Sequence, residues 1–269
     1  MRQEPAPEAT LSESADIYLA RTGRRAELVL NRPAKRNALS LAMWRAIPDL
    51  VAQVDADPDV RLLVVRGAGA HFAAGADIAE FETTYATREA ALANQAVMAR
   101  AMAALESFSK PSLAVIRGAC VGGGCALALC CDLRFAATDA RFGVTPAKLG
   151  LAYGVSDTRR LVQAVGPSAA KRILFTGGLI DAEEALRIGL VDAAHGDAAL
   201  DGAVGAFEAE LASASGFTAR AVKQVMAMLR DGAIDDTAES RALFADAFEG
   251  PDFREGSTAF LAKRTPRFP

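Results

Sequence analysis

The stretch Ser112–Cys131, SLAVIRGACVGGGCALALCC, reads as a strand, a glycine-rich turn and an apolar helix. Ser112–Arg117 is a short run carrying β-branched residues, Gly118–Gly124 is glycine-rich enough to predict a tight turn, and Cys125–Cys131 predicts the helix. The first turn of such a helix offers unpaired N–H groups at the positive end of its dipole, and glycines let a ligand come close to the main chain. An anion hole built from backbone is therefore expected at Gly122–Gly124, the alternative being a turn that only packs the helix on the strand.

Working upstream, Arg61–Arg66 (RLLVVR) reads as another buried strand, followed by a Gly/Ala-rich loop, Gly67–Asp77 (GAGAHFAAGAD), and a helical pattern around Ile78–Phe81. Asp16–Ala20 and Ala26–Leu30 alternate like a hairpin turning at Thr22–Gly23, Ser40 is placed to cap a helix through Val54, and Glu89–Ser107 predicts a long alanine-rich helix. Asp132–Ala136 and Arg141–Val144 add strands downstream. The order strand, loop, helix recurs, which predicts a wound α/β repeat of short units. If those strands pair in parallel, Ala73–Asp77 and Gly122–Gly124 lie side by side. Two N–H groups converging from separate loops are the arrangement that holds a carbonyl oxygen as it becomes an enolate or a tetrahedral oxyanion.

Composition narrows the class. The chain has 269 residues, 51% apolar, enough for a large core, and its formal charge of −3 leaves no electrostatic footprint for nucleic acid. No stretch approaches the roughly 18 apolar residues of a membrane span, and Met1–Ser14 lacks the apolar core of a signal peptide, so residues 1–15 read as a disordered leader. Cys120, Cys125, Cys130 and Cys131 all fall in the glycine-run segment without zinc-site spacing; they read as core thiols of a cytoplasmic protein rather than metal ligands. After Gly154 the chain turns helical, with Asp157–Val165, Ser168–Phe175, Asp181–Ile188, Ala198–Ala212, Thr218–Arg230, Asp235–Phe248 and Pro251–Lys263, and one strand expected at Leu190–Ala193. A core over 16–195 and a helical oligomerisation region over 196–269 follow from that change.

Several segments in this order resemble the crotonase family of enoyl-CoA hydratases and isomerases: LNRPAKRNAL at Leu30–Leu39, FAAGADI at Phe72–Ile78, GACVGGGCALALCCD at Gly118–Asp132, FTG at Phe175–Gly177, AEEALRIGLV at Ala182–Val191 and AFLAKR at Ala259–Arg264. The resemblance covers nearly the whole chain. It implies a crotonase-like α/β spiral of β-β-α units with a C-terminal helical trimerisation region, forming a homotrimer or a dimer of trimers. It also implies an acyl-CoA thioester as ligand, no cofactor beyond the coenzyme A moiety, and no nucleic-acid or membrane partner. By position the oxyanion donors would be the N–H groups of Ala76 and Gly123. Backbone around Lys35, Arg36 and Ala38 and around Ala74–Ala79, including Asp77 and Ile78, would line the nucleotide and pantetheine, and Phe260 and Lys263 would reach a coenzyme A held by a neighbouring subunit.

The sequence departs from the hydratase pattern at both acids. The glutamate that follows the glycine run is replaced by Ala126, and in FGVTPAKLGL, Phe142–Leu151, Pro146 falls on the position of the second. Each such group contributes about a hundred- to ten-thousandfold, so ordinary two-glutamate hydration is disfavoured. The segment Thr145–Tyr153, TPAKLGLAY, is similar to the T-P-x-x-L-G-x-x-Y segment of methylmalonyl-CoA decarboxylases, whose tyrosine stands by the substrate carboxylate; Tyr153 matches it, although those enzymes keep a glutamate at the Ala126 position. Decarboxylation or other enolate chemistry is expected slightly ahead of hydration or isomerisation with a relocated acid, for which Asp157, Glu80, Glu82 and His71 are candidates, and of a non-catalytic acyl-CoA binder.

Overall fold

In the computed structural model, residues 8–9 and 15–268 are described. Most of the expected leader lies outside them; within it, β1 (Glu8–Ala9) pairs antiparallel with Arg21 and Ala20. β2 (Ile17–Thr22) and β3 (Arg25–Leu30) form the expected hairpin, which turns through Gly23 at φ 58°, a left-handed value that suits glycine. β4 (Leu62–Gly67), β5 (Ser112–Ile116), β6 (Ala119–Val121), β7 (Leu133–Ala137), β8 (Arg141–Gly143), β9 (Ile180–Asp181) and β10 (Ala193–His195) follow. Among the described residues the main sheet runs β1-β2-β3-β4-β5-β7-β10, parallel from β3 onward, and β6, β8 and β9 form a second, smaller sheet.

The central strands are buried on both faces. Leu63 and Val65 of β4 join the core cluster with Leu28, Leu30, Ala114 and Ile116, while Leu62 and Val64 are equally buried on the opposite side. Helix Leu41–Ala56, capped by Ser40 Oγ accepting from the Met43 N–H, lays Trp44, Ile47, Val51 and Val54 on that cluster. Each such side chain stabilises the fold by about 1.5–3 kcal/mol, and Ile47→Ala would cost about 2–5 kcal/mol.

Two expectations are corrected. Gly118–Gly124 is not a bare turn: Ala119–Val121 is extended as β6, because the Ala119 carbonyl and the Val121 N–H are both engaged by Ala73. The strand expected at Leu190–Ala193 begins only at Ala193, since the Leu190 and Val191 N–H groups both turn back to the Ala185 carbonyl and close the preceding helix. The two helices expected at Asp157–Val165 and Ser168–Phe175 are both present within Val155–Thr176, separated by a kink at Gly166, whose φ of 73° and ψ of 164° are not helical.

The chain divides into two compact units, residues 1–108 with 112–204 and residues 109–111 with 205–269, so the first unit extends past the expected boundary at 195 into helix Asp197–Ser213. The second carries helices Gly216–Arg230, Ala238–Glu249 and Pro251–Leu261. No helix among the described residues is long and apolar enough to cross a membrane.

Candidate active site

The two glycine-containing loops are held in register by a short parallel ladder. Ala73 bridges Cys120: the Ala73 N–H donates to the Ala119 carbonyl at 2.9 Å and the Val121 N–H to the Ala73 carbonyl at 2.9 Å. Continuing along both chains from that bridge sets Ala76 opposite Gly123. Ala76 also bridges Leu39 on its other side, through Leu39 N–H to the Gly75 carbonyl and Asp77 N–H to the Leu39 carbonyl. Peptide groups alternate in direction along an extended chain, so the Ala76 N–H points away from Leu39. A β-carbon added to Gly123 would lie 3.9 Å from Ala76 N, 3.7 Å from Leu39 Cδ1 and 3.2 Å from Trp44 Cζ2. Neither the Ala76 nor the Gly123 N–H donates to a protein acceptor among the described residues. Gly123 opens helix Gly123–Ala128, where orphan N–H groups are inherent.

The first loop is scaffolded by charge. Asp77 is buried, accepts from Arg32 Nη2 at 2.7 Å and Lys35 Nζ at 3.2 Å through one oxygen, and caps the Ala79 N–H at 3.1 Å with the other. The Arg32 hydrogen bond, working against burial, holds the Asp77 carboxyl below its ordinary value. Arg32 also donates to the Ala38 carbonyl, and fully buried Asn37 ties this segment to the loop by donating to the Ala68 and His71 carbonyls. The Arg36 carbonyl accepts from the Ala74 N–H at 2.9 Å. Lys35 is half-exposed and Ile78 is 75% exposed, both open to a ligand. A narrow crevice lies beside Ala76, walled by Leu39, Trp44, Phe81, Tyr85, Asn94 and Met98.

Of the candidate acids, two are committed to structure. Glu80 Oε2 accepts from the Leu41 N–H at 2.7 Å and so caps helix Leu41–Ala56. His71 accepts from the Ala119 N–H at Nδ1, 3.1 Å away. Glu82 is exposed. Asp157 is a partly buried carboxylate: burial, opposed by Arg160 and reinforced by Glu106, holds its pKa above the ordinary value. One oxygen accepts from Arg160 Nη1 at 3.0 Å, and Oδ2 would lie 3.3 Å from a β-carbon on Gly154, a point also 3.7 Å from Gln95 Nε2. Arg160 is itself buried and fixed by Glu106 at 2.6 Å.

Ala126 is buried with no carboxylate, as its identity dictates, and the hydroxyl of Tyr153 is buried without a hydrogen-bond partner. Burial, with Cys125 and Asp157 as titratable neighbours, pushes that phenol well above its ordinary pKa, so it is a donor in search of an acceptor. The four cysteines are free and buried, and burial raises the Cys130 thiol to about 12. Phe260 is 83% exposed and Lys263 stands just beyond helix Pro251–Leu261 at φ 51°; both belong to the helical unit. The roles of Arg32, Asn37 and Trp44 are invisible in sequence because each acts through partners far along the chain.

The family described as enoyl-CoA hydratase/isomerase matches residues 24–269. The chain is 37% identical to the crotonyl-CoA hydratase of Syntrophomonas wolfei, over 94% of this chain and 97% of that protein. It is 34% identical to the 2,3-dehydroadipyl-CoA hydratase of Escherichia coli, over 94% and 98%. Among solved structures, an enoyl-CoA hydratase/isomerase family protein from Hyphomonas neptunium is 48% identical and superimposes with a TM-score of 0.94, over 96% of this chain and 99% of that one.

Proposed function

The chain belongs to the enoyl-CoA hydratase/isomerase family, with the crotonase fold, and from that premise we propose that it acts on an acyl-CoA thioester by stabilising an enolate, with decarboxylation of a malonyl-type thioester as its reaction. The observation that carries the reading is the combination of two unpartnered N–H groups in register, at Ala76 and Gly123, with a buried, unpartnered phenol at Tyr153 and no carboxylate at Ala126 or Pro146. In the reaction, the bond from Cα to the carboxylate breaks, its electron pair moves into the thioester as an enolate whose oxygen accepts from both N–H groups, and carbon dioxide leaves. The Tyr153 hydroxyl donates to the carboxylate and orients it out of the thioester plane, and after carbon dioxide leaves, Cα takes up a proton from solvent. Such a site needs oxyanion stabilisation rather than activated water.

Coenzyme A would lie along Lys35, Arg36, Ala38 and Ala74–Ile78, with Phe260 and Lys263 contributed by a neighbouring subunit. Exposed Val222, Val225, Met226, Phe244 and Phe248 on the helical unit support self-association as a trimer or a dimer of trimers, and four free buried thiols suit a cytoplasmic protein. A second reading, hydration or isomerisation with a relocated acid, is favoured by Asp157 alone, the one candidate carboxylate that burial holds toward its protonated form.

The test offers the protein methylmalonyl-CoA, malonyl-CoA and crotonyl-CoA and follows carbon dioxide release and loss of the enoyl absorbance. Decarboxylation that falls with Tyr153→Phe supports the reading. Crotonyl-CoA turnover abolished by Asp157→Asn, without decarboxylation, transfers the assignment to the second reading, and binding without turnover of any of the three leaves a non-catalytic acyl-CoA binder.

A further inference from the structure

The ladder that joins the two donor loops turns irregular just before Ala73, where the Phe72 N–H, in place of the His71 N–H, donates to the Arg117 carbonyl at 2.8 Å. At the Ala73–Cys120 bridge the hydrogen bonds follow the ordinary parallel pattern. One step back along both chains, that pattern would have the Ala119 N–H donate to the main-chain carbonyl of His71. Instead the His71 carbonyl accepts from Asn37 Nδ2 at 2.6 Å, and the Ala119 N–H donates to the His71 imidazole at Nδ1, 3.1 Å away. The ring nitrogen stands where a main-chain oxygen belongs.

Two glycines make the space for this substitution. A β-carbon on Gly118 would fall 2.3 Å from His71 Nδ1 and 2.3 Å from the Ala70 carbonyl oxygen. One on Gly67 would fall 2.0 Å from the His71 carbonyl oxygen and 2.5 Å from Asn37 Nδ2. The diverted carbonyl and the inserted ring therefore occupy seats shaped on both sides by the absence of a side chain.

We infer that His71 is a positioning residue for the oxyanion hole, its neutral imidazole accepting at Nδ1 and carrying its proton on Nε2, so that the rung it supplies keeps the Ala76 and Gly123 N–H groups converged. The inference rests on the proposed role of those two groups as thioester-oxygen donors. Ala119 leads through β6 directly to Gly123, and His71 leads through Ala73 to Ala76, so a displaced rung shifts both donors together. With no acceptor at Nδ1, the Ala119 N–H is a part-buried orphan, and the loops move apart to let it find water. An acceptor nitrogen already engaged in this way also removes His71 from the candidates for proton transfer at Nδ1.

The experiment uses acetoacetyl-CoA, a β-ketothioester whose enolate absorbs in the ultraviolet and would be stabilised by the same two donors. His71→Leu is expected to reduce the bound enolate roughly tenfold, since small displacements of oriented groups are costly, while leaving the affinity for coenzyme A unchanged. His71→Asn, whose Oδ1 can take the place of Nδ1, is expected to restore the enolate to near the wild-type level. Full enolate in His71→Leu overturns the inference, as does failure of His71→Asn to restore it in a protein of normal melting temperature and coenzyme A affinity. Should His71→Leu not fold, nitrogen NMR of the wild-type imidazoles decides: the chain has two histidines, and His195→Gln assigns them. A proton on Nε2 of His71 is expected, and a proton on Nδ1 overturns the inference. A wild-type protein that binds acetoacetyl-CoA without forming enolate would instead sink the donor reading, while the tautomer still reports whether the rung exists.

Discussion

The loop carrying Ala76 is held by side chains, whereas the loop carrying Gly123 is held by their absence. Around Ala76, Asp77 gathers Arg32, Lys35 and the Ala79 N–H, Asn37 reaches two loop carbonyls, and Glu80 caps the neighbouring helix. Around Gly123, a β-carbon on Gly124 would come within 2.6 Å of the Ala73 carbonyl oxygen and 2.7 Å of its Cβ, and Gly122 sits at φ 54° and ψ −118°, where a side chain is strained. The difference teaches that the Asp77 contacts holding one loop are electrostatic and pH-dependent, whereas the glycine contacts shaping the other are steric.

The largest effect should come from removing the charge at the centre of the first loop. Asp77→Ala leaves the Arg32 guanidinium, on a side chain 12% exposed, short of its buried partner, and is expected to cost about 3 kcal/mol in urea denaturation at neutral pH. Arg32 hydrogen bonding lowers the Asp77 pKa in the folded state, so its contribution is complete above the unfolded value of about 3.9 and is lost as pH falls through the lower folded value. The gap between wild type and Asp77→Ala should therefore close on acidification; a gap independent of pH would mean that Asp77 acts by packing.

Gly124→Ala tests the other half. Its methyl group would meet backbone rather than a flexible side chain, so the loops must part, at about 1–3 kcal/mol. The same loss at neutral pH and at a pH below the folded Asp77 value, set beside the loss in Asp77→Ala that closes over that range, would confirm that the two sets of contacts are of different kinds. A stability equal to wild type would show that Ala73 has room to give.

Tyr153→Phe is expected to move stability and activity in opposite directions. It removes a buried donor that has no partner, and relieving such a group is worth about 1 kcal/mol in favour of the folded state. If the hydroxyl orients a substrate carboxylate, decarboxylation falls in the same protein that melts higher. A variant that loses stability and keeps activity would place the hydroxyl among structural groups.

How much of this was legible in the sequence follows the same division. The glycine-held loop was readable because its chemistry is local: strand, glycine run and helix succeed one another within Ser112–Cys131. Even there, the extended form of β6 escapes the sequence, since it depends on hydrogen bonds to Ala73, far upstream. The side-chain-held loop was readable only as a motif. Its scaffold couples Arg32 and Asn37 to residues 68–77 across the sheet, and nothing in composition or periodicity reports such pairs. Glu80 looked like a free acid for the same reason: its partner, the Leu41 N–H, belongs to another helix. The vacant acid positions at Ala126 and Pro146 were plain, but that Tyr153 would be left without a partner required three-dimensional placement.

The smallest effect on stability, and a sharp one for function, belongs to Lys35. Asp77 holds two cations that differ in kind: the Arg32 side chain is 12% exposed and also bonded to the Ala38 carbonyl, whereas the Lys35 side chain is 53% exposed and reaches Asp77 at 3.2 Å. Arg32 therefore satisfies the carboxylate, and the Lys35 pair, open to water and salt, contributes no more than about 0.5 kcal/mol. A cation so weakly held can leave Asp77 for a stronger anion at little cost, which is what a phosphate of coenzyme A would supply. Lys35→Met should therefore leave the denaturation curve almost unmoved while weakening coenzyme A binding in calorimetric titration, and the wild-type affinity should decline more steeply with added salt than that of the variant. If binding is unchanged at low salt, Lys35 is only a second partner for Asp77, and the first loop holds its ligand through backbone alone, as the glycine loop does.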